Sequence, residues 1–317
     1  MRLVFCGTPA FAVPSLERLI REPQFQIEAV LTQPDRPSGR GLETTASPVK
    51  RTALAAGIPL YQPAKVRAEE AFEFFRKISP DAVVIIAFGQ IVPGRLIEIP
   101  RLGWINLHAS LLPKYRGAAP IQWAVAEGET RTGLTTMQID AGMDTGPTLL
   151  RWETGIGPDE TAPELAARMA VAGADLVVST LEGLGAGTLV PQAQDHSRAT
   201  LAPLLKKEQG RIEWSWPAHK IHNRMRGFTP WPGAYTSFRG NRCHIWGRPA
   251  EKAEMGADAA PAEPGTIRTA AGALYVACGE GTWLRVEAVQ ADGRKRISAK
   301  DFISGARLAS DEHFDAA

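Results

Sequence analysis

Cysteine is scarce: Cys6, Cys243 and Cys278 are the three in 317 residues, too few and too scattered for a disulfide framework or a zinc knuckle. A reducing compartment is therefore expected, and no metal site is read from the chain. No apolar run approaches the roughly 18 residues of a membrane span. A strand pattern that begins at Arg2 leaves no room for a signal peptide. Both points lead to the expectation of a cytosolic protein. The turn after the first strand-like run reads Gly7-Thr8-Pro9-Ala10-Phe11. It lacks the G-x-G-x-x-G that lets a backbone approach a pyrophosphate, which disfavours a nicotinamide or flavin dinucleotide.

A large excess of either charge is also missing. The net charge is +2, and 44% hydrophobic with 22% charged residues is the composition of a globular protein rather than a disordered or fibrous one. One stretch departs from this balance. Residues 206–248 hold nine Lys or Arg against two acids, Glu208 and Glu213. That pattern suits a polyanionic partner and equally a solvated basic face.

The length fits two domains. Apolar runs of strand length at 3–6, 27–32 and 82–88 alternate with segments of helical spacing, the pattern of a parallel sheet with crossover helices. Ser47 as cap, Pro48 in the first turn and Gly57 as terminator mark one of those helices. A strand at 103–108 and a helix at 118–127 follow. The expected fold is an open, mostly parallel, Rossmann-like α/β sheet over residues 1–190. A helix at 161–184 precedes a weakly periodic linker at 191–210. Residues 211–317 then read as a smaller β-barrel domain, with a short helix at 218–227 and strand-like runs at 234–238, 243–246, 274–278 and 283–289.

Open α/β sheets bind ligands beyond the carboxyl ends of their strands, which directs attention to residues after Cys6, Phe88 and Leu107. The densest polar cluster there is Asn106-Leu107-His108-Ala109-Ser110. In a strand Asn106 and His108 share one face. An amide donor beside an imidazole can stabilise an oxyanion and move a proton, as acyl transfer requires; such a pair can equally be a satisfied buried couple. The Gly-rich stretch Asp140-Ala141-Gly142-Met143-Asp144-Thr145-Gly146 would let Asp144 turn toward the sheet edge and orient His108, although an Asp in such a turn is commonly plain turn chemistry.

The combination Asn106-x-His108-x-Ser110-Leu111-Leu112-Pro113, then Tyr115-Arg116-Gly117-Ala118-Ala119-Pro120-Ile121-Gln122-Trp123, then Asp144-Thr145-Gly146 closely resembles the folate-dependent formyltransferases. The resemblance implies 10-formyltetrahydrofolate as formyl donor and co-substrate, with Asn106, His108 and Asp144 in the catalytic roles. It implies a folate pocket lined by Ser110, Leu111, Leu112 and Pro113 and by Phe88, Gly89 and Gln90. In the mechanism expected from it, Asn106 and a protonated His108 both donate to the formyl oxygen while Asp144 holds His108 and helps take the amine proton.

The family has several acceptors. The loop Thr32-Gln33-Pro34-Asp35-Arg36-Pro37-Ser38-Gly39-Arg40-Gly41 resembles the insertion by which members acting on the methionine of initiator tRNA grip the acceptor stem, and it implies that Arg40 contacts that tRNA. An amino-sugar nucleotide is the alternative acceptor. Arg226-Gly227-Phe228-Thr229-Pro230-Trp231-Pro232-Gly233-Ala234 extends the resemblance into the second domain, implying an OB-like barrel that assists tRNA binding. A monomer is the expectation.

Overall fold

The computed structural model describes residues 1–38, 43–255, 260, 262–309 and 312–315. These fall into two compact units. The first comprises residues 1–120, 131–155 and 164–203, and the second comprises 121–130, 156–163 and 204–317.

The first unit is built on a seven-stranded sheet. In chain order its elements are β1 (Arg2–Gly7), α1 (Val13–Arg21), β2 (Gln26–Leu31), a small hairpin of β3 (Arg36–Ser38) and β4 (Glu43–Thr45), α2 (Pro48–Ala55), β5 (Leu60–Tyr61), α3 (Glu69–Ile78), β6 (Ala82–Ile86), α4 (Gly94–Ile97) and β7 (Trp104–His108). After α5 (Pro120–Ala126), which from residue 121 belongs to the second unit, come β8 (Arg131–Gln138), β9 (Thr148–Gly155) and α6 (Ala162–Gly185). The strand order is β5-β2-β1-β6-β7-β8-β9. The pairs from β5 through β7 are parallel, and β8 and β9 extend the sheet antiparallel.

Local chemistry accounts for these choices. β1 and β6 are buried along nearly their whole length, the near-continuous apolar run that a sheet covered on both faces demands. Helix α2 starts where the Ser47 hydroxyl accepts from the Lys50 amide, with a Pro in its first turn, as the cap reading predicts. On one face of the sheet Phe75 and Trp104 pack with ring centroids 5.0 Å apart. The Trp104 indole is satisfied by the Leu96 carbonyl at 2.8 Å. Trp104, Asn106 and His108 alternate with Ile105 and Leu107 along β7, so the same pleat that buries Trp104 carries the two polar residues.

Strand order reverses between β1 and β6, because β2 lies on one side of β1 and the later strands on the other. This is the switch point at which such sheets leave a crevice. Thr8 Oγ1 donates to the Phe88 carbonyl across it (3.3 Å), and Gln33 Nε2 donates to the same oxygen at 3.1 Å.

The second unit contains α7 (Ala218–Gly227), β10 (Tyr235–Phe238), β11 (Asn241–Pro249), α8 (Lys252–Met255), β12 (Ile267–Ala270), β13 (Ala273–Ala277), β14 (Trp283–Ala291), β15 (Ile297–Ser298) and α9 (Ala299–Ala306). Its antiparallel sheet runs β10-β11-β14-β13-β12, with β15 on β14. The edges are joined by the C-terminal segment. Asp315 N donates to the Ser237 carbonyl, and Phe314 N to the Gly265 carbonyl, each at 2.9 Å. Edge strands that would otherwise lie open are thereby occupied. Trp214 stacks on Phe314 in the core, and the partly buried Phe238 meets Phe302 edge-on and Phe314 at a tilt.

In this unit His222 lies 3.7 Å from Asp159. Burial, and after it the Arg226 guanidinium, push the His222 imidazole below its usual value; Arg248 acts in the same direction, and Asp159 and Glu287 oppose it. His244 is lowered too, by burial and then by Arg242. A depressed folded-state value means that the unfolded chain binds more protons below about pH 6.5. Stability is therefore present above that pH and lost as pH falls. We expect the unfolding midpoint to drop between pH 7 and pH 5 and the drop to shrink in His222→Gln. Parallel pH profiles for the two proteins would remove His222 as a cause.

Among the described residues no helix is long and apolar enough to cross a membrane, and no group of three or more His, Cys, Asp or Glu is placed to hold a metal ion.

Candidate active site

The carboxyl end of β7 delivers Asn106 and His108 to one face of the sheet. His108 is buried, 5% exposed. Its Nε2–H donates to the Tyr115 carbonyl at 2.9 Å, and its Nδ1 lies 3.6 Å from Asp144 Oδ2. The structure thus brings the loop after β8 back to the end of β7. Both imidazole nitrogens face oxygens, Nε2 a carbonyl that holds its N–H and Nδ1 a carboxylate.

Asn106 differs. It is half-buried, and among the described residues nothing hydrogen-bonds its side-chain amide. The Asp144 carboxylate is asymmetric as well. Oδ2 accepts from the Gly117 amide at 2.8 Å and faces His108, while no hydrogen bond to Oδ1 occurs among the described residues. One amide donor and one carboxylate oxygen are left available beside an imidazole whose Nε2–H is committed to the Tyr115 carbonyl and whose Nδ1 faces Asp144 at 3.6 Å. A direct hydrogen bond from that Nε2–H to a substrate oxygen would compete with the Tyr115 carbonyl.

The turn after β7 is over-determined. Ser110 Oγ donates to the Lys114 carbonyl (2.6 Å), and Thr135 Oγ1 donates to the Ser110 carbonyl (2.7 Å) and accepts from the Leu112 amide (3.2 Å). The Leu112–Pro113 peptide is cis, and Tyr115 has φ 60°. Gly117 has φ 123°, and a Cβ there would sit 2.7 Å from the Ala202 carbonyl oxygen. No other residue type fits without moving that backbone. On the far loop, Gly146 packs against the Gln138 carbonyl with no room for a Cβ. These two glycines let the two loops close on Asp144.

Of the residues read as folate-lining, Ser110, Leu112 and Phe88 are buried. Gln90 uses its amide internally, accepting from Val66 N at 2.6 Å and donating to the Pro63 carbonyl at 3.0 Å. Leu111 and Pro113 are half-buried, and Gly89 is exposed with φ 83°. Ile91, just beyond, is 90% exposed, and Met143, beside Asp144, is 61% exposed. The Phe88–Gln90 turn and the β7 turn thus both lie at the carboxyl edge of the sheet, on the neighbouring strands β6 and β7.

Arg40 lies outside the described residues. The root of its loop is fixed: the Lys50 ammonium pairs with Asp35 and donates to Gln62 Oε1 at 2.9 Å, and Gln62 Nε2 donates to Asp35 Oδ1 and the Gln33 carbonyl. The Lys50 and Gln62 hydrogen bonds hold the Asp35 carboxyl below its usual value.

The basic stretch 206–248 divides once its partners are visible. Arg224 pairs with Glu127, Arg239 with Glu312 and Arg248 with Glu254, while Arg226 donates to the carbonyls of Gly157 and Glu160. Those four hold the second unit together. Lys206, Lys207 and Arg211 are exposed.

Reading the sequence missed Gln194 and Thr200, which come from a stretch without periodicity. Thr200 accepts from the Tyr115 amide through its hydroxyl and from the Arg116 amide through its carbonyl, both at 2.8 Å. A lone Gln or Thr in such a stretch gives no signal of its own.

The chain matches the family described as formyl transferase over residues 1–181 and the formyl transferase C-terminal domain over residues 204–307. A methionyl-tRNA formyltransferase of Solibacter usitatus is 58% identical over 98% of both chains, and one of Acidobacterium capsulatum is 51% identical over 100% of both. Among solved structures, an N-formyltransferase from Helicobacter canadensis with folinic acid and dTDP-3-aminofucose shares the fold with TM-score 0.63 at 18% identity, covering 90% of this chain and 98% of the other. A sugar N-formyltransferase from a Shewanella species gives 0.60 at 15% identity, covering 77% and 96%. With both domains matched in order and relatives of this identity over the full length, the chain belongs to the formyltransferase family.

Proposed function

We propose that this protein transfers the formyl group of 10-formyltetrahydrofolate to the α-amine of methionine on initiator tRNA, as the names of its relatives suggest. The observation that carries the reading is an unengaged Asn106 amide beside His108 and Asp144, which face each other at 3.6 Å. The first unit, which includes residues 191–203 of the connecting stretch, serves as the catalytic domain, and the second, with residues 211–317, as the tRNA-assisting domain. The protein works in the cytoplasm as a monomer.

The donor supplies an activated formyl carbon. Nδ2–H of Asn106 meets the formyl oxygen as attack by the amine makes it negative, a contribution of about 10²–10³ in rate for one such donor. The free Oδ1 of Asp144 accepts the proton of the attacking amine, worth about 10²–10⁴. His108, its Nε2–H held by the Tyr115 carbonyl, offers Nδ1 beside Asp144 Oδ2 as a relay for that proton, which passes on to N10 of the donor as the formyl C–N10 bond breaks and tetrahydrofolate leaves. The amine is nucleophilic once neutral, so no covalent enzyme intermediate is required.

The exposed Gly89 backbone, half-buried Leu111 and Pro113, and exposed Ile91 and Met143 offer the mixed apolar and amide surface that a pterin needs. Phe88, Ser110 and Leu112 would reach it through backbone atoms, because their side chains are buried.

Labelled donor offered in parallel with methionyl initiator tRNA, methionyl elongator tRNA, glycinamide ribonucleotide and an amino-sugar nucleotide tests the proposal. Transfer to initiator tRNA alone is expected; transfer to the sugar nucleotide instead would overturn it. The exposed Lys206, Lys207 and Arg211 carry the second expectation. Replacing all three with Gln should flatten the log–log salt dependence of tRNA binding by roughly 2 to 3 units, about 0.9 per lost phosphate contact. An unchanged slope would place the tRNA elsewhere.

A further inference from the structure

Asp144 sits in the left-handed region, uncommon for a non-glycine residue, with φ 53°. A non-glycine residue persists there only where its surroundings over-determine it. Those surroundings can be traced. Gln194 Nε2 donates to the Asp144 carbonyl at 2.9 Å and to the Gly146 carbonyl at 2.7 Å. Its Oε1 accepts from Arg116 Nε at 3.2 Å and from Nη2 at 2.7 Å. Nη2 also donates to His196 Nδ1 at 3.1 Å. Arg116 and Gln194 are each only 6% exposed. Arg116 is fixed along its own backbone too, its carbonyl accepting from Ala202 N at 2.7 Å. The next residue, Gly117, grips the Asp144 carboxylate itself.

We propose that Gln194, held by Arg116, is a positioning residue that sets Asp144 for proton transfer. The inference rests on the reading of Asp144 given above. Its physical logic is that of an insulated clamp. A guanidinium bonded directly to Asp144 would neutralise the carboxylate and occupy the oxygen that must accept a proton. Routed through a neutral amide, the same cation grips the loop by its carbonyls and leaves Oδ1 free. Two N–H groups of a cation on Oε1 also polarise the amide and strengthen its donation from Nε2.

Gln194→Glu tests this directly. The carboxylate keeps the shape and gives the buried Arg116 a partner, but it turns an acceptor toward the two carbonyls that Nε2 now serves. We expect kcat to fall about 10- to 100-fold, the scale of a displacement of about 1 Å at a reacting group, with KM for donor and tRNA within about threefold. Hydrogen exchange of the Gly117 amide, read by mass spectrometry, should accelerate while β1 and β6 stay protected. In an Asp144→Asn background the same change should cost less than about threefold, because the clamp acts through Asp144.

A kcat within twofold of the parent, or equal losses in both backgrounds, overturns the proposal. Should Gln194→Glu fail to fold, Arg116→Met with Gln194→Met removes both buried partners together and is held to the same expectations. Asp144→Asn with undiminished kcat would strike the reading of Asp144 instead, and Gly117 exchange in Gln194→Glu would still report on the clamp.

Discussion

Asp144→Asn is expected to lower kcat for formyl transfer by at least about 10² and to leave tRNA affinity within a few-fold. The amide is isosteric and can still accept from Gly117, so the loop keeps its anchor; what disappears is the oxygen that takes the amine proton and the charge that His108 faces at 3.6 Å. His108→Gln should be similarly impaired. The double variant should be barely worse than either single one, because the two side chains act on the same proton. Steady-state kinetics with saturating donor, together with tRNA binding by filter retention, decides the matter. Near-parental kcat in Asp144→Asn would leave the His108–Asp144 contact as a structural feature only.

A second large effect is expected at Arg40, in the loop that the sequence resemblance implies contacts the tRNA. Arg40→Ala should cut kcat/KM for methionyl-tRNA by about 10- to 150-fold, the equivalent of a charge-assisted contact of roughly 1.5–3 kcal/mol fully made in the transition state. Donor affinity should be unchanged. Lys at the same position should recover part of the loss, since it keeps the charge but not the planar fork. The loop has a fixed root in Asp35, Lys50 and Gln62, so a loss confined to the tRNA arm would be that of the Arg40 contact and not of the sheet edge. An Arg40→Ala enzyme as efficient as its parent would reduce the loop to a surface connection.

The parallel sheet was legible because its signal is local. Buried runs at β1 and β6, the Ser47 cap and the Pro that opens α2 each declare themselves within a few residues. The pairing of Asn106 with His108 was equally readable, since strand alternation alone puts them on one side. The second unit was harder. Its short strands show in the alternation of Cys243 and Ile245, buried, with the half-buried Arg242 and His244, but nothing in residues 312–315 announces that they join β10 to the start of β12. The tryptophans make the same point: Trp214 is core at 1% exposure and Trp231 is 53% exposed, a difference that residue type alone does not give.

By itself the sequence determined the alternation of strand and helix through β7, the strand face that carries Asn106 and His108, and the resemblance that named the chemistry, because propensity, periodicity and motif spacing are properties of neighbouring residues. Only the tertiary structure decided which atoms of those residues remain free. It tied His108 to Tyr115 and Asp144, left the Asn106 amide unengaged, divided the basic stretch into ion pairs and exposed cations, and drew Gln194 from a featureless segment onto the Asp144 loop. Hydrogen-bond partners 50 and 78 residues apart, as Gln194 is from Asp144 and Arg116, are chosen by the packing of the whole chain, and no local pattern encodes them.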